Sequence, residues 1–233
     1  MPMRLLLLAC FLVLSAQTSF AQEGGIRLAR LKYGGGGDWY NDPSALPNLI
    51  RFAREHTLLD LHPRPEVIEA SSDNLFSYPW IFMTGHGNIR FSDEEVRRLR
   101  LYLENGGFLY ADDDYGMDQA FRREIKRIFP DRELVELPFD YGLFHCHFSF
   151  PRGVPKIHEH DNKPPQAFGI FHNGRLVVLY TYESNPSDGW ADPEVHNDPP
   201  EKRLEALRFG VNILVWALSQ GGLYEKQKPR STR

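Results

Sequence analysis

Tyr78-Pro79-Trp80-Ile81-Phe82-Met83-Thr84-Gly85-His86-Gly87 is the stretch that decides the fold. Its first seven residues carry no charge, as in a strand buried on both faces of a parallel sheet. Gly85-His86-Gly87 stops the run. Ser92 and Glu95 then make a capping box, with Phe91 placed to staple against Val96 at the fourth helical position. Val96, Leu99 and Leu103 form the inward stripe of that helix, and Asn105-Gly106-Gly107 ends it. Phe108-Leu109-Tyr110-Ala111 is the next short buried strand, running into Asp112-Asp113-Asp114-Tyr115-Gly116. Strand, helix and strand at this spacing make a βαβ unit, whose two strands lie parallel.

The same alternation extends in both directions. Ile26 to Tyr33 alternates apolar and polar residues, which predicts a strand closed by Gly34 to Gly37. A helix follows from about Pro43, with Asp42 as N-cap and Leu46, Leu49, Ile50 and Ala53 inward. Glu66-Val67-Ile68-Glu69 is a short strand. A helix over about 117–129 repeats Phe121, Ile125, Ile128 and Phe129 on one face. Phe168 to Phe171 and Leu176 to Tyr182 flank Asn173-Gly174, a type I′ hairpin signal. From Asp198-Pro199-Pro200-Glu201 a long helix points Leu204, Leu207, Val211, Leu214 and Leu218 inward. The expected fold class is α/β: one mostly parallel sheet with helices on both faces and a β-hairpin in the C-terminal half.

The chain has 233 residues, 42% hydrophobic and 25% charged, which is globular rather than disordered composition. With 27 basic and 31 acidic residues it advertises neither a nucleic-acid partner nor an anionic membrane surface. Residues 1–21 read as a signal peptide: Arg4, the apolar run Leu5 to Leu14, then Ser19-Phe20-Ala21 as cleavage site. Ten apolar residues are half of what a spanning helix needs, about 20. The mature chain is expected to start at Gln22, to form one domain over 22–233, to carry no transmembrane span and to reside in the periplasm or outside the cell. Cys10 leaves with the leader, so Cys146 has no intramolecular disulfide partner.

In parallel sheets ligands sit beyond the carboxyl ends of the strands, so the loops there carry the candidates. They are Asp38, Trp39 and Tyr40 after the first strand, His86 on its glycine loop, Asp112 to Tyr115, and Glu183 after the hairpin. Asp112, Asp113 and Asp114 either supply hard oxygens to a divalent metal such as Mg²⁺ or Ca²⁺, or cap a helix with one carboxylate while solvent holds the other two. His86 is placed to act as a general base or to orient a ligand. Gly34 to Gly37 either brings backbone amides to an anion or is a flexible turn. His145 with His147, and His158 with His160, are i, i+2 pairs that an extended chain aims to one side, a workable metal-ligand geometry. Alternatively His158 to Asp161 anchors a loop, with Lys156 and Lys163 as charge partners. Trp39, Tyr40, Tyr115 and Trp190 are either a platform for a sugar ring or lid packing. Topology predicts that Asp38, His86, Asp113 and Glu183 share one pocket.

Five motifs carry a family resemblance: Tyr-Gly-Gly-Gly-Gly-Asp-Trp-Tyr-Asn-Asp-Pro (33–43), Thr-Gly-His-Gly (84–87), Gly-Gly-Phe-Leu-Tyr-Ala-Asp-Asp-Asp-Tyr-Gly (106–116), Pro-Lys-Ile-His-Glu-His-Asp (155–161) and Glu-Val-His-Asn-Asp-Pro-Pro-Glu-Lys-Arg (194–203). Across essentially the mature chain they resemble the bacterial family called domain of unknown function 4159. The resemblance implies a fold similar to class I glutamine amidotransferases, a flavodoxin-like arrangement, and no established activity. Amidotransferases carry a Cys nucleophile on the turn between a buried strand and a helix; here that turn is Asp112-Asp113-Asp114, and Cys146 lies elsewhere. Glutaminase chemistry is therefore not expected. Two functions stay open. One is a ligand-binding or assembly module of the cell envelope, with a small-molecule or glycan ligand or an envelope protein partner. The other is a metal-dependent or acid–base hydrolase of a small or glycan substrate.

Overall fold

The computed structural model describes residues 24–227, with side chains through residue 219. The leader expected over residues 1–21 lies outside the described residues. Seven strands form one sheet: β1 (Leu28–Lys32), β2 (Glu66–Glu69), β3 (Trp80–Gly85), β4 (Phe108–Asp113), β5 (Val135–Glu136), β6 (Gln166–His172) and β7 (Arg175–Tyr182). Their order is β2-β1-β3-β4-β7-β6-β5. The first five in that order are parallel, and β6 and β5 add antiparallel to one edge. β6 and β7 join through Asn173 and Gly174, with φ of 49° and 77°, the left-handed pair that a two-residue turn between twisted strands needs.

Helices α1 (Ala45–His56) and α5 (Pro200–Gln227) cover one face, α2 (Asp93–Glu104) and α3 (Asp118–Ile128) the other, and the single turn α4 (Pro193–His196) precedes α5. Strand alternation sorts the sheet's side chains between them. Trp80, Phe82, Phe108 and Tyr110 face α1 and α5, while Ile81, Met83, Leu109 and Ala111 face α2 and α3. The α2 capping box forms in both directions, with Glu95 N–H donating to Ser92 Oγ and Ser92 N–H to the Glu95 carboxylate. Phe91 is buried and Val96 half-buried in the same cluster. Among the described residues no helix is long and apolar enough to cross a membrane.

Several local expectations are corrected. β1 is shorter than its alternation, and Arg30 at one of the "polar" positions is buried, its guanidinium bonded to the carbonyls of Trp39, Asn41 and Asp42. A strand covered on both faces has no solvent side for a polar residue to mark. Asp42 does not cap α1. The helix starts at Ala45 behind Ser44, and Asp42 sits at φ 44° in the loop before it. Leu204 is exposed on α5, whose buried face runs through Ala206, Phe209, Ile213 and Leu214. Trp190 is neither platform nor lid. It is fully buried, tilted against Phe82 and Tyr110, with its indole N–H donating to Ala206 O at 2.8 Å.

Candidate functional site

The carboxyl ends of β1, β3, β4 and β7 bring their following loops together. At the β1/β3 boundary the two loops lock directly. Gly37 N–H donates to Asn88 O at 2.9 Å, Arg90 N–H to Gly34 O at 2.8 Å, and Asn88 Nδ2 to Gly35 O at 3.1 Å. The missing side chains of Gly34, Gly35 and Gly37 let the two backbones approach, while Gly36 faces open space. Gly85 shows this most sharply. Its φ is 141°, and a Cβ there would fall 2.3 Å from the Tyr33 hydroxyl and 3.0 Å from Asp38 Oδ1.

That close approach positions His86. Asp38 Oδ1 accepts its backbone N–H, and Asp38 Oδ2 lies 3.0 Å from its Nδ1. Asp114 Oδ2 lies 3.5 Å from the same nitrogen. Burial works against the charge on Asp38, but the hydrogen bonds and charge of His86 win and hold its pKa below the usual range. The ring stays half-exposed.

The aspartate run is not a loop. β4 continues through Asp112 and Asp113, in register with Thr84 and Gly85, and all three carboxylates are buried. Strand alternation then splits them. Asp113 faces α3, where it accepts the Met117 backbone N–H at 2.9 Å, but it lies four residues before the N-cap, Met117, and α3 has no side-chain cap, so the helix-capping reading is corrected. The other two are not solvated. Asp112 accepts from Thr181 Oγ1 and from Ser187 N–H. Asp114 accepts from Asn41 Nδ2 and, at 2.8 Å, from Asn185 Nδ2. Burial is the largest cause pushing all three pKa values up, Asp112 to about 7 and Asp113 to about 6. Asp114 rises further because burial is joined by the charges of Asp188, Asp112 and Asp42.

Asp188, His196, Asp198 and the misassigned Asp42 complete this centre. His158 Nδ1 lies 2.6 Å from Asp188 Oδ2, and its Nε2 bridges both Asp198 oxygens at 3.1 Å. His196 Nε2 lies 3.0 Å from Asp42 Oδ1, and its Nδ1 is 3.9 Å from Asp188 Oδ2. Asp42, Asp114 and Asp188 each offer an oxygen within 4.8 Å of the other two; so, as ligand atoms, do His158, Asp188 and His196. Sequence reading missed Asp42, Asp188 and His196. The signal for all three was in the motifs at 33–43 and 194–203 and in the polar loop ending at Trp190, but only the fold joins them.

The remaining candidates divide. The four histidines do not form one metal site: His145 Nε2 pairs with Phe139 O, and His147 Nε2 with His56 O at the far end of α1. The i, i+2 rule applies to extended chain, whereas His145 follows a 3₁₀ turn at Gly142–Phe144. Cys146, beside them, bonds to backbone carbonyls, and burial pushes its thiol up to about 11. His160 lies 4.9 Å from the Tyr115 ring, with both ring nitrogens buried and unpaired. Glu183 is buried and anchors the 156–163 loop: it accepts Asp161 N–H, with Lys156 Nζ at 3.4 Å and Lys163 Nζ at 4.0 Å. His86 meets both Asp38 and Asp114, while Asp113 feels the charges of Glu183 and His86. Trp39 and Tyr40 meet edge to face at 5.6 Å and line a cavity of about 420 Å³ with Arg30, Pro43 and Leu46.

The profile of the family described as Domain of unknown function (DUF4159) matches residues 27–218, from the start of β1 through the described face of α5. The chain belongs to the DUF4159 family. No curated protein matches it. Every residue of the His86 and Asp188 clusters falls inside the DUF4159 match.

Proposed function

We propose that this DUF4159 chain is an exported acid–base hydrolase of a small or glycan substrate, with His86 as the base that activates water. The observation that carries the reading is the Asp38–His86 pair. A carboxylate at 3.0 Å from Nδ1 fixes the proton on that nitrogen and leaves Nε2 as the basic one, on a ring that remains accessible. The same carboxylate accepts the His86 backbone N–H, so the ring is positioned through two points. A class I glutamine amidotransferase-like fold is part of the proposal. Its support is the order β2-β1-β3-β4-β7 of the five parallel strands, which counted among themselves in chain order is the flavodoxin-like 2-1-3-4-5, whose ligands sit at the β1/β3 switch point where this pair lies. The end of β4 and the turn after it, Asp112–Gly116, offer carboxylates and no Cys or Ser, which supports water activated by His86 as the nucleophile.

The cavity beside Trp39 and Tyr40 supports a glycan or other ring-bearing substrate, since a sugar's CH face stacks on such rings. It also favours the second reading, a ligand-binding or assembly module of the envelope, because Tyr40 is 63% exposed and available to a partner. Turnover separates the two. Wild type is assayed on a panel of chromogenic glycosides, esters and amides with divalent ions supplied, beside His86→Ala and Asp38→Asn. General-base catalysis contributes about 10²–10⁴-fold, so His86→Ala should lose that much with an unchanged fold. Turnover that survives His86→Ala refutes the assignment; ligand binding without turnover by wild type favours the module.

A further inference from the structure

Asp42, Asp114 and Asp188 arrive from three different loops, and their oxygens lie within 4.8 Å of one another. Carboxylates at that spacing repel unless a proton or a cation lies between them. Their side-chain partners are amides and imidazoles: Asn41 and Asn185 on Asp114, Asn185 and His158 on Asp188, and His196 on Asp42. Arg30, the guanidinium beside Asp42, spends its N–H groups on backbone carbonyls.

A second observation points to what fills the centre. Asp188 is 4% exposed, yet no N–H or hydroxyl donates to its Oδ1, and within the cluster Asp188 meets only the carboxyls of Asp42 and Asp114. The Oδ1 atoms of Asn185 and Asn41, whose amide nitrogens grip Asp114, are also buried without a donor. Buried acceptors are nearly always paired, and three orphan oxygens on the carboxylate cluster and the amides that grip it are the donors a cation needs. We propose that Asp42, Asp114 and Asp188 bind a hard divalent cation of the Mg²⁺ or Mn²⁺ kind. Oxygen-only donors suit that class. The alternative set, His158, Asp188 and His196, would favour Zn²⁺, but both His158 nitrogens are already committed, to Asp188 and to Asp198. His158 and His196 instead act as positioning residues that hold Asp188 and Asp42 from behind, as partners of metal-binding carboxylates do.

This deepens the hydrolase reading, because Asp114 Oδ2 lies 3.5 Å from His86 Nδ1 and the ion would sit beside the base. It is tested without turnover. The full chain, stripped with EDTA and dialysed, is titrated with MnCl₂, MgCl₂ and ZnCl₂ by calorimetry, and Mn²⁺ binding is followed by loss of the free-ion electron paramagnetic resonance signal. We expect a single Mn²⁺ per chain, competed by Mg²⁺, with affinity falling by at least about tenfold in Asp114→Asn and in Asp42→Asn. Asp113→Asn, on the opposite face of β4, should bind as wild type does. Circular dichroism checks the fold, and two ligand variants guard against one failing to fold. No Mn²⁺ binding by wild type overturns the proposal. So does Zn²⁺ binding that survives Asp114→Asn and is lost in His196→Ala. Mn²⁺ binding without turnover leaves this site standing and removes the hydrolase; turnover without Mn²⁺ binding does the reverse.

Discussion

Asp112→Asn should stabilise the metal-free protein, by an amount that grows with pH. The carboxylate is wholly buried at the end of β4, and burial, with the Asp188 charge added, lifts its pKa from 3.8 to about 7 against the pull of Ser187 and Thr181. In the unfolded chain it ionises near the ordinary value, about 3.9. Between those two pH values the folded state therefore holds a proton that the unfolded state has lost. Raising the pH then favours unfolding, and the contribution is gone once the pH passes the folded value. Each pH unit in the window costs about 1.4 kcal/mol, so the penalty is about 1.5 kcal/mol at pH 5 and about 4 kcal/mol at pH 8. Asparagine keeps the shape and cannot ionise. Its Oδ1 can take the Ser187 N–H, while its Nδ2 meets the Thr181 hydroxyl, which turns its own proton to the Tyr110 hydroxyl 2.9 Å away. Urea unfolding in EDTA across this pH range, with the denaturant slope checked at each point, measures the gap between variant and wild type. It should widen by about 2–3 kcal/mol from the acid to the alkaline end. A constant gap, or a variant less stable throughout, would refute the claim that this buried carboxylate costs the fold stability.

Gly85→Ala should cost more than the 1 kcal/mol or so typical of a surface change, because its Cβ would strike the Tyr33 hydroxyl at a φ of 141°. Thermal melting reads the loss, and a Tyr33→Phe background that restores part of it would tie the strain to that contact. Export predicts a mature N-terminus at Gln22; N-terminal sequencing of protein from the native host that returned Met1 would remove the periplasmic or extracellular placement.

The buried aspartates bear on both proposals. A fold that buries Asp112 and Asp114 beside Asp188 holds the pKa values of those two up and so gives up stability at neutral pH, and such groups cluster at functional sites. The alternative of a purely structural role fits poorly with Asp188 Oδ1, which is buried with no N–H or hydroxyl donor.

The sequence by itself determined the elements whose causes are local. The α2 capping box, the charge-free run that becomes β3, the inward stripes of α1 and α3 and the Asn-Gly turn all depend on residues within a few positions of each other. From them the mostly parallel sheet follows, and with it the edge on which the polar loops converge. What only the tertiary structure decided are relations across distant loops. Asp42 looked like a helix cap until His196, 154 positions away, claimed its carboxylate. The three aspartates looked equivalent until the pleat of β4 sent Asp113 to α3 and its neighbours to Asn41, Asn185 and Ser187. Trp190 looked like a surface ring until the sheet placed it against Phe82 and Tyr110. The physical reason is one of range. Capping and periodicity act within a turn or a strand, whereas burial and charge coupling depend on which loops the sheet order brings together.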